Sequence, residues 1–188
     1  MKWTMLAAAL LVAAAPVCAQ TIRLIVPFAP GGVDVVARIL AEQLRTAERS
    51  FVVENHGGAG GVLGTAKAAE AAPDGRTVLM ATLGSHVLSP ATKDPRSVPY
   101  DPATAFEPVM LIGSVPSLLV ARPGLPAGIT LRELIALAKS KPGSLSFASA
   151  GTGSTSHLTG ELLKQRTGID MVHIPYKGGG QAISDLVG

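Results

Sequence analysis

A mainly parallel α/β fold is predicted by three features of this sequence. Four times a β-branched apolar stretch runs into a glycine-rich loop and then a helical pattern. The first stretch, residues 22–28, is apolar at nearly every position, as strands covered on both faces are. Strong turn signals, Pro73-Asp74-Gly75 and Lys141-Pro142-Gly143, separate the units. The four loops are Phe28-Ala29-Pro30-Gly31-Gly32, Asn55-His56-Gly57-Gly58-Ala59-Gly60-Gly61, Ser149-Ala150-Gly151-Thr152-Gly153-Ser154 and Tyr176-Lys177-Gly178-Gly179-Gly180. A strand, glycine loop and helix in succession aim backbone N–H groups and a helix N-terminus at one spot. Such a spot, at the C-terminal end of a strand, favours a small anion such as a carboxylate or phosphate.

The elements follow in order. Residues 22–28 form a first strand, broken by Pro30-Gly31-Gly32. Asp34 is expected as an N-cap or first-turn acid of a helix reaching about residue 47, with Val36, Ile39 and Leu40 at helical spacing. Residues 51–54 are a second strand, and Val62, Leu63 and Ala66 open a second helix. A third strand, residues 77–82, leads into Leu83-Gly84-Ser85-His86. This alternation predicts βαβ units. Pro90, Pro95, Pro99 and Pro102 then forbid continuous regular structure, so residues 89–107 read as a surface excursion with a turn at Pro99-Tyr100-Asp101-Pro102. Residues 109–112 and 118–121 read as short strands at the crossing between two lobes. Thr130 and Glu133 have the spacing of a capping box, ahead of an apolar face of Leu131, Leu134, Ile135 and Ala138. Residues 145–148 and 171–174 are strands, Ser154 begins a helix, and residues 181–187 form another.

The N-terminus is read apart from the fold. Lys2 supplies a positive charge, residues 5–15 an apolar run, and Val17-Cys18-Ala19 a small-residue cleavage site. The run is shorter than the about 20 residues a membrane span needs. The expectation is a secretory signal peptide, residues 1–19, cleaved after Ala19. Cleavage removes the chain's one cysteine, so neither a disulfide nor thiol chemistry is expected. The net charge of +3 falls by one with Lys2; the remaining bases are scattered and aromatics are only 4%, which argues against nucleic-acid binding.

The densest polar cluster is Ser149-Ala150-Gly151-Thr152-Gly153-Ser154-Thr155-Ser156-His157. Its hydroxyls and amides precede a helix and are suited to one carboxylate. It lacks a Gly-x-Ser-x-Gly elbow, so hydrolysis through Ser154 and His157 is the weaker alternative. The spacing Gly58-x-Gly60-x-x-x-Gly64 is one residue off a dinucleotide fingerprint, and the next strand ends without the ribose-binding acid; those glycines read as a tight turn and close packing. His56, His86, His157 and His173 are far apart in sequence with no metal-ligand spacing, so no metal or other cofactor is expected. Thr82 and Ser85 end the third strand, where ligands gather in open α/β sheets.

Several segments in order resemble the Bug family, the TctC-like extracytoplasmic receptors of tripartite tricarboxylate transporters. They are Leu24-Ile25-Val26-Pro27-Phe28-Ala29-Pro30-Gly31-Gly32 with Asp34, Val53-Glu54-Asn55 with Gly58-Ala59-Gly60-Gly61, Ala72-Pro73-Asp74-Gly75, Tyr100-Asp101-Pro102, Ser149-Ala150-Gly151 through His157, and Val172-His173-Ile174-Pro175-Tyr176-Lys177-Gly178-Gly179. The resemblance implies a periplasmic binding protein of type II-like fold, two lobes with mainly parallel sheets closing on a small carboxylate. Residues 20–121 would form the first lobe and 122–188 the second. It implies a monomer that is not an enzyme and that passes its ligand to transporter membrane subunits; a sensor for a membrane signalling partner is an alternative. The ligand residues it implies are Phe28, Pro30, Gly31, Gly32 and Asp34 in the first lobe, Ser149, Ala150, Gly151, Gly153, Ser154, Thr155 and His157 in the second, and Thr82, Ser85 and Tyr176 as pocket walls. Three departures stand out. Val33 alone separates Gly32 from Asp34 where the family has two residues, which is expected to re-aim the first loop. His56-Gly57 replaces a usual Arg-Pro. Family members also continue past Gly188, so an incomplete second lobe with impaired binding is expected.

Overall fold

The computed structural model describes residues 20–188 except 123, 126 and 127. The signal-peptide expectation therefore lies outside the described residues. Two parallel sheets organise the rest. In the first, β1 (Gln20–Val26) lies between β2 (Arg49–Asn55) and β3 (Thr77–Leu79), with Leu24 opposite both Val53 and Val78. In the second, β4 (Leu145–Ser149) pairs with β5 (Met171–Pro175).

The central strand carries the apolar run, and Ile25 and Val26 are fully buried. Leu24, Val26 and Phe28 pack with Ala37 of α1 (Gly32–Gln43) and with Met80. The Leu24, Val26, Phe28 and Met80 side chains each stabilise the fold by about 1.5–3 kcal/mol when fully buried. Helix α1 stops at Gln43, short of the expected residue 47. There the Thr46 hydroxyl accepts the amides of Glu48 and Arg49, closing a turn that competes with further helix. Asp34 lies in the first turn of α1 and is not its cap; Gly31 holds that position.

Helix α2 (Val62–Ala69) lies close against β1 because Gly64 has no side chain. A Cβ there would sit 2.5 Å from Pro27 Cα and 2.6 Å from the His56 carbonyl oxygen. In the second sheet's layer, the Thr130–Glu133 capping box opens α4 (Leu131–Ser140), as expected. Ser154 caps α5 (Thr155–Thr167), accepting the His157 amide at 3.3 Å, and Gly168 ends it in the left-handed conformation. Ala138, Ile169 and Met171 form this layer's core. Helix α6 (Gly179–Val187) closes the described chain.

Two expectations are corrected. Residues 89–107 are not simply a surface excursion. A π-type turn over Gly84–Leu88 runs into α3 (Ser89–Thr92), with Ser89 fully buried. Val98 and Tyr100 then pack on Val62 and Ala66, and the Tyr100 hydroxyl donates to the Ser85 carbonyl at 2.6 Å. The turn falls at Asp101, whose carbonyl accepts the amides of Thr104 and Ala105, two residues later than expected.

Residues 109–112 and 118–121 are not strands. Among the described residues nothing pairs with them, and Val109, Leu111 and Leu118 are each at least 80% exposed. Their β-branched pattern records fitness for a half-buried sheet, but a strand exists only where a neighbour completes its ladder.

Candidate functional site

The C-terminal ends of β1, β2, β4 and β5 bring the four glycine loops together. Glycines allow the approach. The Ala29 amide donates to the Lys177 carbonyl at 3.1 Å, joining the first loop to the fourth. A Cβ on Gly57 would lie 2.5 Å from Ala29 N and 2.7 Å from that same carbonyl oxygen. The His-Gly pair at 56–57, a departure from the family pattern, thus makes room where three loops meet. Gly31 faces the Gly180 amide, and Gly151 faces both the Tyr176 carbonyl and the Gly60 amide. The second loop, read from sequence as a tight turn and mainly as packing, serves that role at Gly64. It also contributes Gly60 to the meeting point, held with a positive φ of 68° that a side chain would strain.

A buried serine fastens the arrangement. Ser89 Oγ lies 3.4 Å from the Gly60 carbonyl oxygen and 3.3 Å from that of Gly153, within reach of both layers. Sequence reasoning missed Ser89, because a lone serine beside a proline carries no pattern that marks it as inward. Strand β3 ends at Leu79, three residues before the expected residue 82, so Thr82 and Ser85 lie beyond it in the turn that follows, where they bond to one another. Ser85 Oγ accepts the Thr82 amide at 3.2 Å, and Ser85 is fully buried. Gly84 abuts Thr155 of α5.

The second-sheet loop is braced internally through the side chains of Ser149, Ser154, Ser156 and His157. Ser149 Oγ accepts the Gly151 amide at 3.1 Å and lies 2.6 Å from His173 Nε2. Gly153 donates its amide to His157 Nδ1 at 3.2 Å, and Ala150 donates to Ser156 Oγ at 3.0 Å. Ser154 Oγ is committed to the His157 amide and Ser156 Oγ. The Ser149, Ser154, Ser156 and His157 side chains that marked this segment in sequence therefore build the loop. What it presents to an anion is the head of α5, whose first turn contains no acidic residue.

Ser154 Oγ meets the His157 backbone amide, and the His157 ring is committed through Nδ1 to Gly153. This is not the nucleophile–base geometry that the hydrolase alternative requires. His173 was not among the expected site residues. It stands opposite Phe147 in the β4–β5 register, and its ring stacks on Phe147 at 4.9 Å. The usable signal was its two-residue spacing from the buried Met171, which puts both on one strand face.

The first-sheet loop is electrostatically different. Asp34 is buried in the first turn of α1, and Arg38 Nε donates to its Oδ2 at 2.9 Å. The Arg38 hydrogen bond holds the Asp34 carboxyl below its ordinary range, outweighing burial. A carboxylate there offsets the positive end of α1, so α1 attracts an anion less than α5 does. Asn55 donates to the Phe28 carbonyl at 3.2 Å and fixes the loop's base. Phe28 is buried, Gly31 lies half-buried against Gly180, and Pro30 and Gly32 are exposed. The Tyr176 hydroxyl donates to Asp185 at 2.9 Å, which raises the phenol's pKa. A separate groove of about 270 Å³, lined by Arg38, Ala41, Glu42, Arg45, Phe51 and Val53, lies on the α1–β2 face, outside these loops. Arg38 and Arg45 are paired with Asp34 and Glu42, so that groove offers little uncompensated positive charge.

Comparison with known proteins finds the same pattern. The family model described as "Tripartite tricarboxylate transporter family receptor", TctC, matches residues 35–188. Protein BugT of Bordetella pertussis is 43% identical over 182 residues, covering 93% of this chain and 55% of BugT. Among solved structures, Rhodopseudomonas palustris MatC with bound malate is 38% identical with a TM-score of 0.79, covering 88% of this chain and 56% of MatC. R. palustris Rpa4515 with adipate is 36% identical with a TM-score of 0.82, covering 88% and 55%. The chain thus spans about half the length of the relatives it matches.

Proposed function

The chain belongs to the tripartite tricarboxylate transporter receptor family, and from that premise we propose that it is a periplasmic solute-binding receptor for a small carboxylate. The observation that carries the reading is the convergence of loops from both parallel sheets on the head of α5. Residues 20–121 and 122–188 act as two lobes. One ligand carboxylate sits between the Phe28, Pro30, Gly31 and Gly32 loop and the Ser149, Ala150, Gly151, Gly153, Ser154 and Thr155 loop. Thr82, Ser85 and Tyr176 wall the pocket, with Asp34 and His157 holding the two loops in shape. Adipate in Rpa4515 and malate in MatC support a carboxylate as the class of ligand. The receptor works as a monomer and delivers its ligand to transporter membrane subunits.

Thermal-shift screening of small mono- and dicarboxylates, malate and adipate included, tests this reading. Binding to the folded state alone raises stability by RT ln(1 + [L]/Kd), about 2.7 kcal/mol at a hundredfold excess over Kd. A concentration-dependent rise in Tm with at least one carboxylate is expected. A flat response across the panel, in a chain that melts cooperatively, would contradict the proposal.

A further inference from the structure

The two histidines beside the Ser149–Ser154 loop carry an inference beyond ligand class. Their rings lie 4.0 Å apart between centroids, one on α5 and one on β5. Phe147 of β4 stacks on both, at 6.4 Å from His157 and 4.9 Å from His173. An N–H group can only donate, so the Gly153 amide requires a bare lone pair on His157 Nδ1. Ser149 Oγ receives the Gly151 amide, which leaves its own proton free to go to His173 Nε2.

We propose that His157 and His173 are positioning residues that hold the Ser149–Ser154 loop in its observed shape only while His157 is neutral. Protonation of His157 at Nδ1 sets one donor against another and releases the Gly153 amide. Protonation of His173 keeps a hydrogen bond to Ser149 Oγ but places a positive charge beside His157. The pair therefore does not accept two protons independently. Other charges around the pair are few. Glu161 and Lys164 of α5 are paired with each other at 3.3 Å, and Lys164 Nζ sits 6.0 Å from the Phe147 centroid. Lys93, beyond α3, reaches Gly153, and Asp185 of α6 is engaged by Tyr176. Burial, followed by the His157 charge, holds His173 below its ordinary pKa. The loop is accordingly closed while His157 Nδ1 carries a bare lone pair and released when that nitrogen gains a proton.

This inference rests on the proposed role of the loop for its meaning but not for its test. The Gly153 and Gly151 amides and both imidazole rings are followed by NMR across pH 5–8 without ligand. The Gly153 shift should move with the midpoint of the His157 ring. Its exchange protection, corrected for intrinsic rates, should fall roughly tenfold on the acid side, the loss of one hydrogen bond. In His157→Gln the Gly153 response should vanish and the His173 midpoint should rise. A Gly153 amide that ignores His157 titration, or a His173 midpoint unchanged by that substitution, would overturn the proposal. Malate titration at neutral pH is the separate arm: its failure would count against the receptor reading while leaving the loop result to stand.

Discussion

Glu54 ties β1 to β2 and to the loop that follows. Arg23 Nε and Nη2 donate to Glu54 Oε1 and Oε2 at 2.7 and 2.9 Å, and His56 Nε2 lies 3.0 Å from Oε2. The Arg23 hydrogen bonds, then the His56 contact, lower the Glu54 pKa from 4.5 to about 2. At 1.36 kcal/mol per pKa unit, that shift corresponds to an upper bound of roughly 3 kcal/mol. The Glu54 and Arg23 side chains keep 27% and 39% exposure, so solvent screens the pair and about 1–2 kcal/mol is the expected contribution. The folded-state pKa is lowered, so the unfolded chain binds more protons between the two values. The stabilisation is complete above pH 4.5 and disappears as pH falls toward about 2. We predict that Glu54→Gln loses about 1–2 kcal/mol in urea unfolding at pH 7, and that its deficit falls to roughly a quarter of that value at pH 2.5. Other carboxylates titrate in both proteins, so the difference isolates Glu54. A deficit that stays constant from pH 7 to pH 2.5 would refute the reasoning.

Three further substitutions test the packing and the loops. Gly64→Ala drives a Cβ into Pro27 and the His56 carbonyl, both backbone contacts, and should cost about 1–3 kcal/mol, read as a lower Tm. Tyr100→Phe removes the donor to the Ser85 carbonyl in a buried site. A loss of about 1–3 kcal/mol in chemical denaturation is expected, whereas an unchanged midpoint would mean that the bond contributes nothing net. Ser154→Ala removes the α5 cap and should destabilise by about 1 kcal/mol; circular dichroism melts read the loss, and calorimetry with a bound carboxylate should show weaker affinity.

The alternation of strand and glycine loop was legible because it has a local cause: buried parallel strands need apolar residues, and their loops need backbone freedom. The Thr130–Glu133 box and the Ser154 cap were readable for the same reason. Features set by tertiary contact were not. Residues 109–121 have strand-like side chains, yet no neighbour completes a ladder among the described residues. Tyr100 and Val98 sit in a proline-rich stretch that composition marks as surface, but α2 supplies a buried face for them. In the candidate site, sequence marks the Ser149–His157 loop by its polar density but not how its groups are spent. That the Ser149 and Ser154 hydroxyls are committed inside the loop, and that His173 meets His157, depends on the β4–β5 register and on the packing of α5.

We propose that the ligand carboxylate binds where loops from the two sheets meet. Amide chemical-shift mapping during titration with malate and with adipate tests it most directly. Saturable shifts concentrated at residues 28–32 and 149–157 are expected, abolished when the ligand carboxylates are methyl-esterified. Shifts centred instead on the Arg38–Arg45 groove, or shifts that survive esterification unchanged, would contradict it.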